Sequence, residues 1–557
     1  MTTNSLDPPH DNRALTRPAK ITAAGLCFAG AVLLLVNAQT MTICEDESNG
    51  FFLSHKPLGE VIRLMAANSY EDPPLWDVLL HAWTPIAGYD LGLLRGLPIL
   101  FWLLMAPGLF LVTRRLAGPR SAWCSLVALM LMPYHWTIPA AFRWYSFFAF
   151  LAVWNFFFFL RLEECARTDD DTLTERKTRF FRGAPYALTG ACLWYTNYSA
   201  PMFFFIHLVV AMVRARRRRQ IAADLALCWL VVSLLYLPWL PTFLRQLGRS
   251  TRSVSFSYTG LSLYVLAAGE FSTPFHYWIS VPAIVAGILL AALVGVGFRR
   301  CWVPVAALAV VMTAMLATGV IGPKRLLLAS PFVAMIAGIA LADESCRRRW
   351  FPAAQTGLLA MAVLVASGSL VHMFRQTGWV AYRWLDPCRA VVRQIRSETP
   401  SALVVSNSNP IFFYLGDQYG KNFCHGYQRT DPSYRPKALH FPLKANYPPV
   451  CRELLDRVDR VAWVYHSAYD GPISKWHDEF VDEMGRLGFR VSKTETFLRA
   501  SPAMLKYHPR FRDRSSNLLD EYRLVVVHFD KHPQRSRVGA LHPRGRDCAS
   551  RPLGSRL

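Results

Sequence analysis

Residues 21–47 read ITAAGLCFAGAVLLLVNAQTMTICEDE, and this stretch decides the fold. Ile21 to Thr40 is an apolar run long enough to cross a bilayer as one helix. It ends against Glu45-Asp46-Glu47, three acids at the mouth of the run. Before it, residues 1–20 are polar and basic, with Arg13, Arg17 and Lys20. Val36-Asn37-Ala38 loosely matches a signal-cleavage site. The run is long for a signal, however, and many similar runs follow. It therefore reads as a first span, with residues 1–20 as a cytoplasmic tail.

The further apolar runs are 91–112, 121–141, 145–160, 184–198, 201–213, 221–243, 277–298, 302–322, 326–342 and 351–374. With the first they make about eleven spans. The arginines test this order. With the N-terminus inside, the cytoplasmic loops hold Arg114-Arg115 and Arg120, residues 161–182, residues 214–219, Arg299-Arg300 and residues 347–349. Each is basic, as the positive-inside rule requires. Arg245, Arg249 and Arg252 are exceptions on the outer side. An odd number of spans leaves everything after Phe374 outside.

Composition agrees. Of 557 residues, 53% are hydrophobic and 18% charged, a balance that points to the membrane. The formal net charge of +23 would suggest nucleic acid in a soluble chain. Here the cations sit in short loops between apolar runs, and no basic face is interleaved with aromatics, so nucleic acid is excluded as a partner. The twelve cysteines show no Cys-x-x-Cys pair and no zinc spacing. Cys44, Cys388, Cys424 and Cys451 fall in outer segments, where a disulfide is permitted.

Two outer segments are more than loops. Residues 44–90 carry Val61-Ile62, Leu64-Met65, Val78-Leu79-Leu80 and Trp83, spaced as short amphipathic helices in the interface. Residues 253–276 read similarly. From about Tyr382 to residue 530 the pattern changes to short strands at 402–405, 461–465, 489–491 and 524–527. Helices are expected after Asp386-Pro387, after Asn409-Pro410 and over 475–487. The expectation is a small extracytoplasmic α/β domain on a mostly α, polytopic membrane domain, followed by a basic tail at 531–557.

Two later features complete the chemistry-bearing set. Asp72 lies in Tyr70-Glu71-Asp72-Pro73-Pro74-Leu75-Trp76, where the double proline fixes an extended kink before a helix. Lys324 and Arg325 sit at the outer end of a span, the wrong side for topology cations. Arg143 is at an outer end too, with Tyr145 beside it. Lys56 and His55 are further cations of the first loop.

These pieces together resemble the GT-C membrane glycosyltransferases. The resemblance rests on Asp46-Glu47, the acid-Pro-Pro-Leu-aromatic run, Leu94-Arg95 and Arg143-Trp144-Tyr145. It continues through Trp194-Tyr195-Thr196-Asn197-Tyr198 and Gly322-Pro323-Lys324-Arg325. Asn197 stands where the family usually carries His, and Leu326 where it carries Tyr. The likeness covers about residues 20–375. It is nearest to the branch of protein O-mannosyltransferases and lipid A aminoarabinose transferases that also decorates bacterial lipopolysaccharide cores.

The resemblance implies a bacterial inner-membrane enzyme that transfers a sugar, with inversion, from a polyprenyl-phosphate donor to an extracytoplasmic acceptor. By that match Asp46 is the candidate base. Glu47 supports it or binds acceptor. Asp72 orients the acceptor or a sugar hydroxyl, or shares a divalent metal with Asp46, the weaker option since no His or further acid completes a set. Arg143, Tyr145, Lys56, Lys324 and Arg325 are substrate-binding candidates. The rival readings are a transporter and a non-catalytic envelope assembly protein. A transporter would want charges near mid-membrane and repeated halves. This chain keeps most of its acids at one surface and shows no repeat.

Overall fold

The computed structural model describes residues 16–41, 43–69, 72–168, 173–214, 218–247, 256–272, 274, 276–318, 321–343, 351–375, 388–406, 409–416, 423–425, 458–466, 480–482, 484–498 and 523–532. The expected N-terminal and basic C-terminal tails lie outside these residues, apart from 16–20, 531 and 532. So do Glu71, Cys451 and residues 475–479 and 483 of the helix expected over 475–487. The bridge considered among Cys388, Cys424 and Cys451 is therefore not described.

Each apolar run of the sequence is helical at its centre. The membrane helices are α1 (Arg17–Thr40), α5 (Leu91–Ala117), α6 (Pro119–Leu131), α7 (Tyr145–Thr168), α8 (Leu173–Trp194), α9 (Ala200–Arg214), α10 (Arg218–Tyr236), α13 (Tyr277–Val296), α14 (Phe298–Ala317), α15 (Ser330–Ala342) and α16 (Phe351–Arg375). Between them lie α2 (Glu45–Ser54), α3 (Leu58–Leu64), α4 (Leu75–Ala87), α11 (Leu240–Leu247) and α12 (Phe256–Ala268). Among the described residues, seven helices are long and apolar enough to cross a membrane, and Ala200–Arg214 and Ser330–Ala342 are shorter apolar helices. The chain is an integral membrane protein. On α13, Ile284 and Ile288 are 63% and 62% exposed, a face that suits lipid.

The run 121–141 departs from expectation. Its helix stops at Leu131, and two 3-10 turns, Pro133–Trp136 and Ile138–Ala140, replace the rest. Pro133 and Pro139 have no N–H to continue an α-helix. Backbone freed inside a membrane protein needs partners, and here side chains supply them. Asn37 donates to the Trp136 carbonyl at 2.7 Å, Ser146 to Pro139 at 2.8 Å, and Trp136 to Met130 at 2.9 Å. This irregular segment leads directly into residues 141–144 of the site.

Close packing sets the helix positions. Gly338 of α15 lies against Ser125 of α6: a Cβ added there would meet the Ser125 backbone N at 2.3 Å. Small residues let these two helices approach without lipid between them. The phenylalanines of 156–159 and 203–205 mostly pack inward. Phe156 and Phe159 stack on His207, and Phe203 stacks on Phe332, which also meets Phe156 edge-on. Phe205 is the exposed exception.

The C-terminal domain is a five-stranded sheet, order β2-β1-β3-β5-β4, built from β1 (Leu403–Ser406), β2 (Phe423–His425), β3 (Arg460–His466), β4 (Phe489–Leu498) and β5 (Arg523–Lys531). β1 runs parallel to β2 and β3; β5 is antiparallel to β3 and β4. β2 was not legible as a strand, and β4 is longer than expected. α17 (Cys388–Glu398) and α18 (Asn409–Leu415) follow the two predicted starts. β1 is buried on both faces. Val404 packs with Val391, Ile395 and Phe412, while Leu403 and Val405 pack with Trp463, Phe480 and Met484. α18 docks this domain on the membrane domain. Phe413 packs on Phe51 of α2 at 5.1 Å between ring centroids, and the Tyr414 hydroxyl accepts the Ile43 N–H at 2.9 Å.

Candidate active site

Four segments meet at one end of the helix bundle. They are the α1–α2 turn, the Asp72-Pro73-Pro74 turn before α4, residues 141–144 before α7, and residues 321–328 before α15. The opposite end holds the ion pairs Arg115–Glu164, Arg214–Glu163 and Arg300–Asp343. α5 links the two ends with 27 residues, a length of about 40 Å.

Arg95 anchors the first segment. It is fully buried and donates to the carbonyls of Ala38 and Met41 at 2.9 and 2.6 Å, which caps the end of α1. It also donates to Glu47 at 2.9 Å. The Glu47 carboxylate further accepts the Phe142 N–H at 2.8 Å and reaches back to the Cys44 N–H at 3.0 Å. Burial opposes ionisation of Glu47, but the Arg95 charge, the Phe142 N–H and the Lys324 charge outweigh it and hold the carboxyl down at about 2. Glu47 is thus committed to joining α1, α2, α5 and residue 142.

With Glu47 turned inward, its neighbour Asp46 faces out. Its side chain is 58% exposed, and Lys324 Nζ approaches Asp46 Oδ2 at 3.4 Å. Lys324 is placed by the tight turn at Gly322, and the Pro323 carbonyl accepts the Tyr134 hydroxyl at 2.7 Å. Arg325 follows, half-buried, at the first position of a 3-10 turn.

Asp72 is held from three sides. Arg143 and the Trp144 indole donate to Oδ2 at 3.1 and 3.0 Å, and Asn197 donates to Oδ1 at 3.2 Å. The prolines after it end the preceding chain direction, and the Leu75 N–H bonds to the Tyr195 carbonyl at 2.9 Å. Asn197, where the resemblance departs from its pattern, is therefore an Asp72 ligand. Arg143 bridges the two acids, since its other amino group reaches the Asp46 carbonyl at 3.5 Å. Burial works against the Arg143 charge, but Asp72, Tyr145, Asp46 and Asp77 together raise its pKa further.

Three N–H donors around Asp72 are the opposite of what a cation-binding carboxylate needs. Among the described residues no group of three His, Cys, Asp or Glu side chains is placed to hold a metal ion. The shared metal considered for Asp46 and Asp72 does not fit this arrangement.

The remaining candidates are spread more widely. Tyr145 is buried with its ring 4.4 Å from Trp144. Lys56 pairs with Glu60 at 2.8 Å, and His55 Nδ1 lies 2.8 Å from the Phe51 carbonyl, so both engage local partners on the α2–α3 turn. Glu270 is buried after Gly269, whose φ of +74° lets it lie against Pro133. His276 stacks on His372 at 3.9 Å between centroids.

Sequence reasoning passed over Trp144, Asn197 and Arg95 as site residues, although each lies in a quoted motif. It also missed Asp77, a buried acid in the first turn of α4. Burial, reinforced by the Asp72 charge, pushes Asp77 up to about 7, although Arg143 and the helix N–H oppose this. An acid on the apolar face of α4, five residues from Asp72, was the available signal.

No family model and no curated protein matches the sequence. Solved structures do. ArnT from Cupriavidus metallidurans in the apo state superposes with a TM-score of 0.54 at 13% identity, over 92% of this chain and 98% of that one. The same protein bound to undecaprenyl phosphate gives 0.55 at 12% identity over the same shares. The archaeal oligosaccharyltransferase AglB from Archaeoglobus fulgidus, in complex with an inhibitory peptide and a dolichol-phosphate, gives 0.44 at 12% identity, over 69% of this chain and 59% of that one. The chain shares the fold of these two ArnT structures.

Proposed function

We propose that this chain is a membrane glycosyltransferase that moves a sugar from a polyprenyl-phosphate donor to an acceptor on the extracytoplasmic side. The observation that carries the reading is the facing pair of an exposed acid, Asp46, and a span-end cation, Lys324, beside the braced Asp72–Arg143 pair. The similar ArnT structure holding undecaprenyl phosphate supports the donor class.

In this reading the acceptor hydroxyl or amine attacks the anomeric carbon while Asp46 removes its proton. The bond from that carbon to the phosphate oxygen breaks, and a single displacement inverts the centre. Lys324 and Arg325 stabilise the charge on the departing lipid phosphate. Their loose 3.4 Å pairing in Lys324–Asp46 leaves both groups able to turn to substrates. Asp72, already bonded to three donors, fixes Arg143 and orients rather than takes the proton. The arginine-rich end of the bundle then faces the cytoplasm, and the site faces outward across the bacterial inner membrane.

The test is genetic and chemical. Deleting the protein should cause one polyprenyl-phosphate sugar to accumulate, seen by mass spectrometry of extracted lipids. Wild-type protein should clear it, and Asp46→Asn, expressed and folded to the same level, should not. Clearance by Asp46→Asn would remove Asp46 as the base. No accumulating lipid sugar would overturn the donor class.

A further inference from the structure

Between the two domains lies an open cavity of about 740 Å³ that the catalytic reading does not use. Its floor is the end of α1 and the α4–α5 turn, at Gln39, Tyr89 and Asp90; its roof is α17 and α18, at Arg389, Arg396, Phe413 and Tyr414. The cavity is near the acids in the chain: Gln39 lines it, the Ile43 N–H bonds Tyr414 of its roof, and Asp46 stands in the first turn of α2.

The lining has a definite chemistry. Tyr89 and Tyr414, backed by the buried Phe413, offer partly exposed aromatic edges on which the C–H faces of sugar rings pack. The rings are held rather than mobile. Phe413 packs on Tyr89 at 5.7 Å between centroids and against Tyr414 at 5.4 Å. Gln39 carries an amide, and Asp90, whose Oδ1 accepts the Leu93 N–H at 2.8 Å, keeps a second oxygen; both suit hydroxyl groups. Arg389 and Arg396 lie two turns apart on α17, hence on one face of it. Arg389 is held over the Tyr414 ring at 5.2 Å, and Arg396 donates to the Leu415 carbonyl. Two guanidinium groups against one carboxylate leave the cavity with a net positive charge. The volume lies within the range of ligand sites, about 300–1,000 Å³.

We propose that this cavity binds an anionic oligosaccharide segment of the acceptor. The aromatic rings hold sugar rings, Gln39 and Asp90 bond hydroxyls, and Arg389 with Arg396 takes a carboxylate or phosphate substituent. The acceptor thereby reaches Asp46 along α2. This assignment rests on the glycosyltransferase reading and names its acceptor class.

The experiment is titration calorimetry on the full-length protein in detergent. The probes are trigalacturonate, a phosphorylated mannotriose and neutral maltotriose. At least one anionic probe should bind tenfold or more tighter than maltotriose, and the one that does identifies the anion. Arg389→Ala with Arg396→Ala should cost tenfold or more in that affinity. Gln39→Trp, which fills the floor without touching either arginine, should do the same. Retained binding of undecaprenyl phosphate shows that a variant is folded. Equal binding of neutral and anionic probes, or unchanged affinity in folded variants, overturns the assignment. Asp46→Asn should bind the anionic probe normally, so a failure of the catalytic reading leaves this result standing and separable.

Discussion

Lys324 Nζ lies 3.4 Å from Asp46 Oδ2, across 278 residues of chain. The contact joins the first and a late span entry at the surface of the bundle. In the proposed reaction it would place the base and a phosphate-binding cation within one substrate's reach.

Replacing Lys324 and Arg325 together by Gln should weaken donor-lipid binding. Charge-assisted hydrogen bonds contribute about 1.5–3 kcal/mol each, so with both cations removed a loss of about a hundredfold to ten-thousandfold is expected. Equilibrium binding of undecaprenyl phosphate to the purified variant measures it. Unchanged affinity would remove the pair from phosphate recognition.

The Glu47–Arg95 pair should behave as a fold element. Removing one partner strands the other buried charge, at a cost of about 3–5 kcal/mol. Arg95→Met should therefore lower the midpoint of thermal unfolding in detergent far more than Lys56→Met, which breaks a half-exposed pair. Because Glu47 sits near 2 when folded, below the ordinary glutamate range, its stabilisation is present above that range. It is lost as pH falls toward about 2. Wild type should lose unfolding midpoint across that acid window more steeply than Glu47→Gln.

Asp77 has the opposite sign. Its folded pKa of about 7 lies above the ordinary aspartate range, so the protonated acid is the favoured buried form. Its stabilisation is full below the unfolded value and falls away as pH rises through about 7. Asp77→Asn should flatten the loss of thermal stability between about pH 4 and 7, the interval from the ordinary aspartate range to the folded value. A variant with the wild-type slope would show that Asp77 does not titrate there.

Gly338→Val should disrupt the α6–α15 contact. The new Cβ meets Ser125 backbone, which cannot rotate away. Overpacking typically costs about 1–3 kcal/mol, and more where backbone must move. The yield of monodisperse protein in detergent should fall, while Gly287→Val, at an open position of α13, should not change it.

Helix positions were legible because apolar runs and arginine clusters are local signals. The break at Pro133 was readable in principle, but its surroundings are as apolar as a span. Asp46, Asp72, Arg143 and Lys324 could be named from motif order, and the structure gathers them. What sequence order could not give was direction. Asp46 and Glu47 are adjacent and chemically alike, yet the helix turns one outward and the other to Arg95. The Asp72–Asn197 bond spans distant segments, and no periodicity predicts it. β2 is only Phe423–His425, too short to show alternation.

The Glu47–Arg95 bond also bears on how the protein is made. Glu47 follows the first span and Arg95 lies in the second, so the ribosome delivers both early. Asp72 emerges between them and Arg143 soon after, while Lys324 arrives many spans later. A nascent chain thus assembles the two charge-balanced pairs first, and Asp46 meets Lys324 only once that late segment is inserted. Truncation before Lys324 should leave both pairs formed and the Asp46 contact missing.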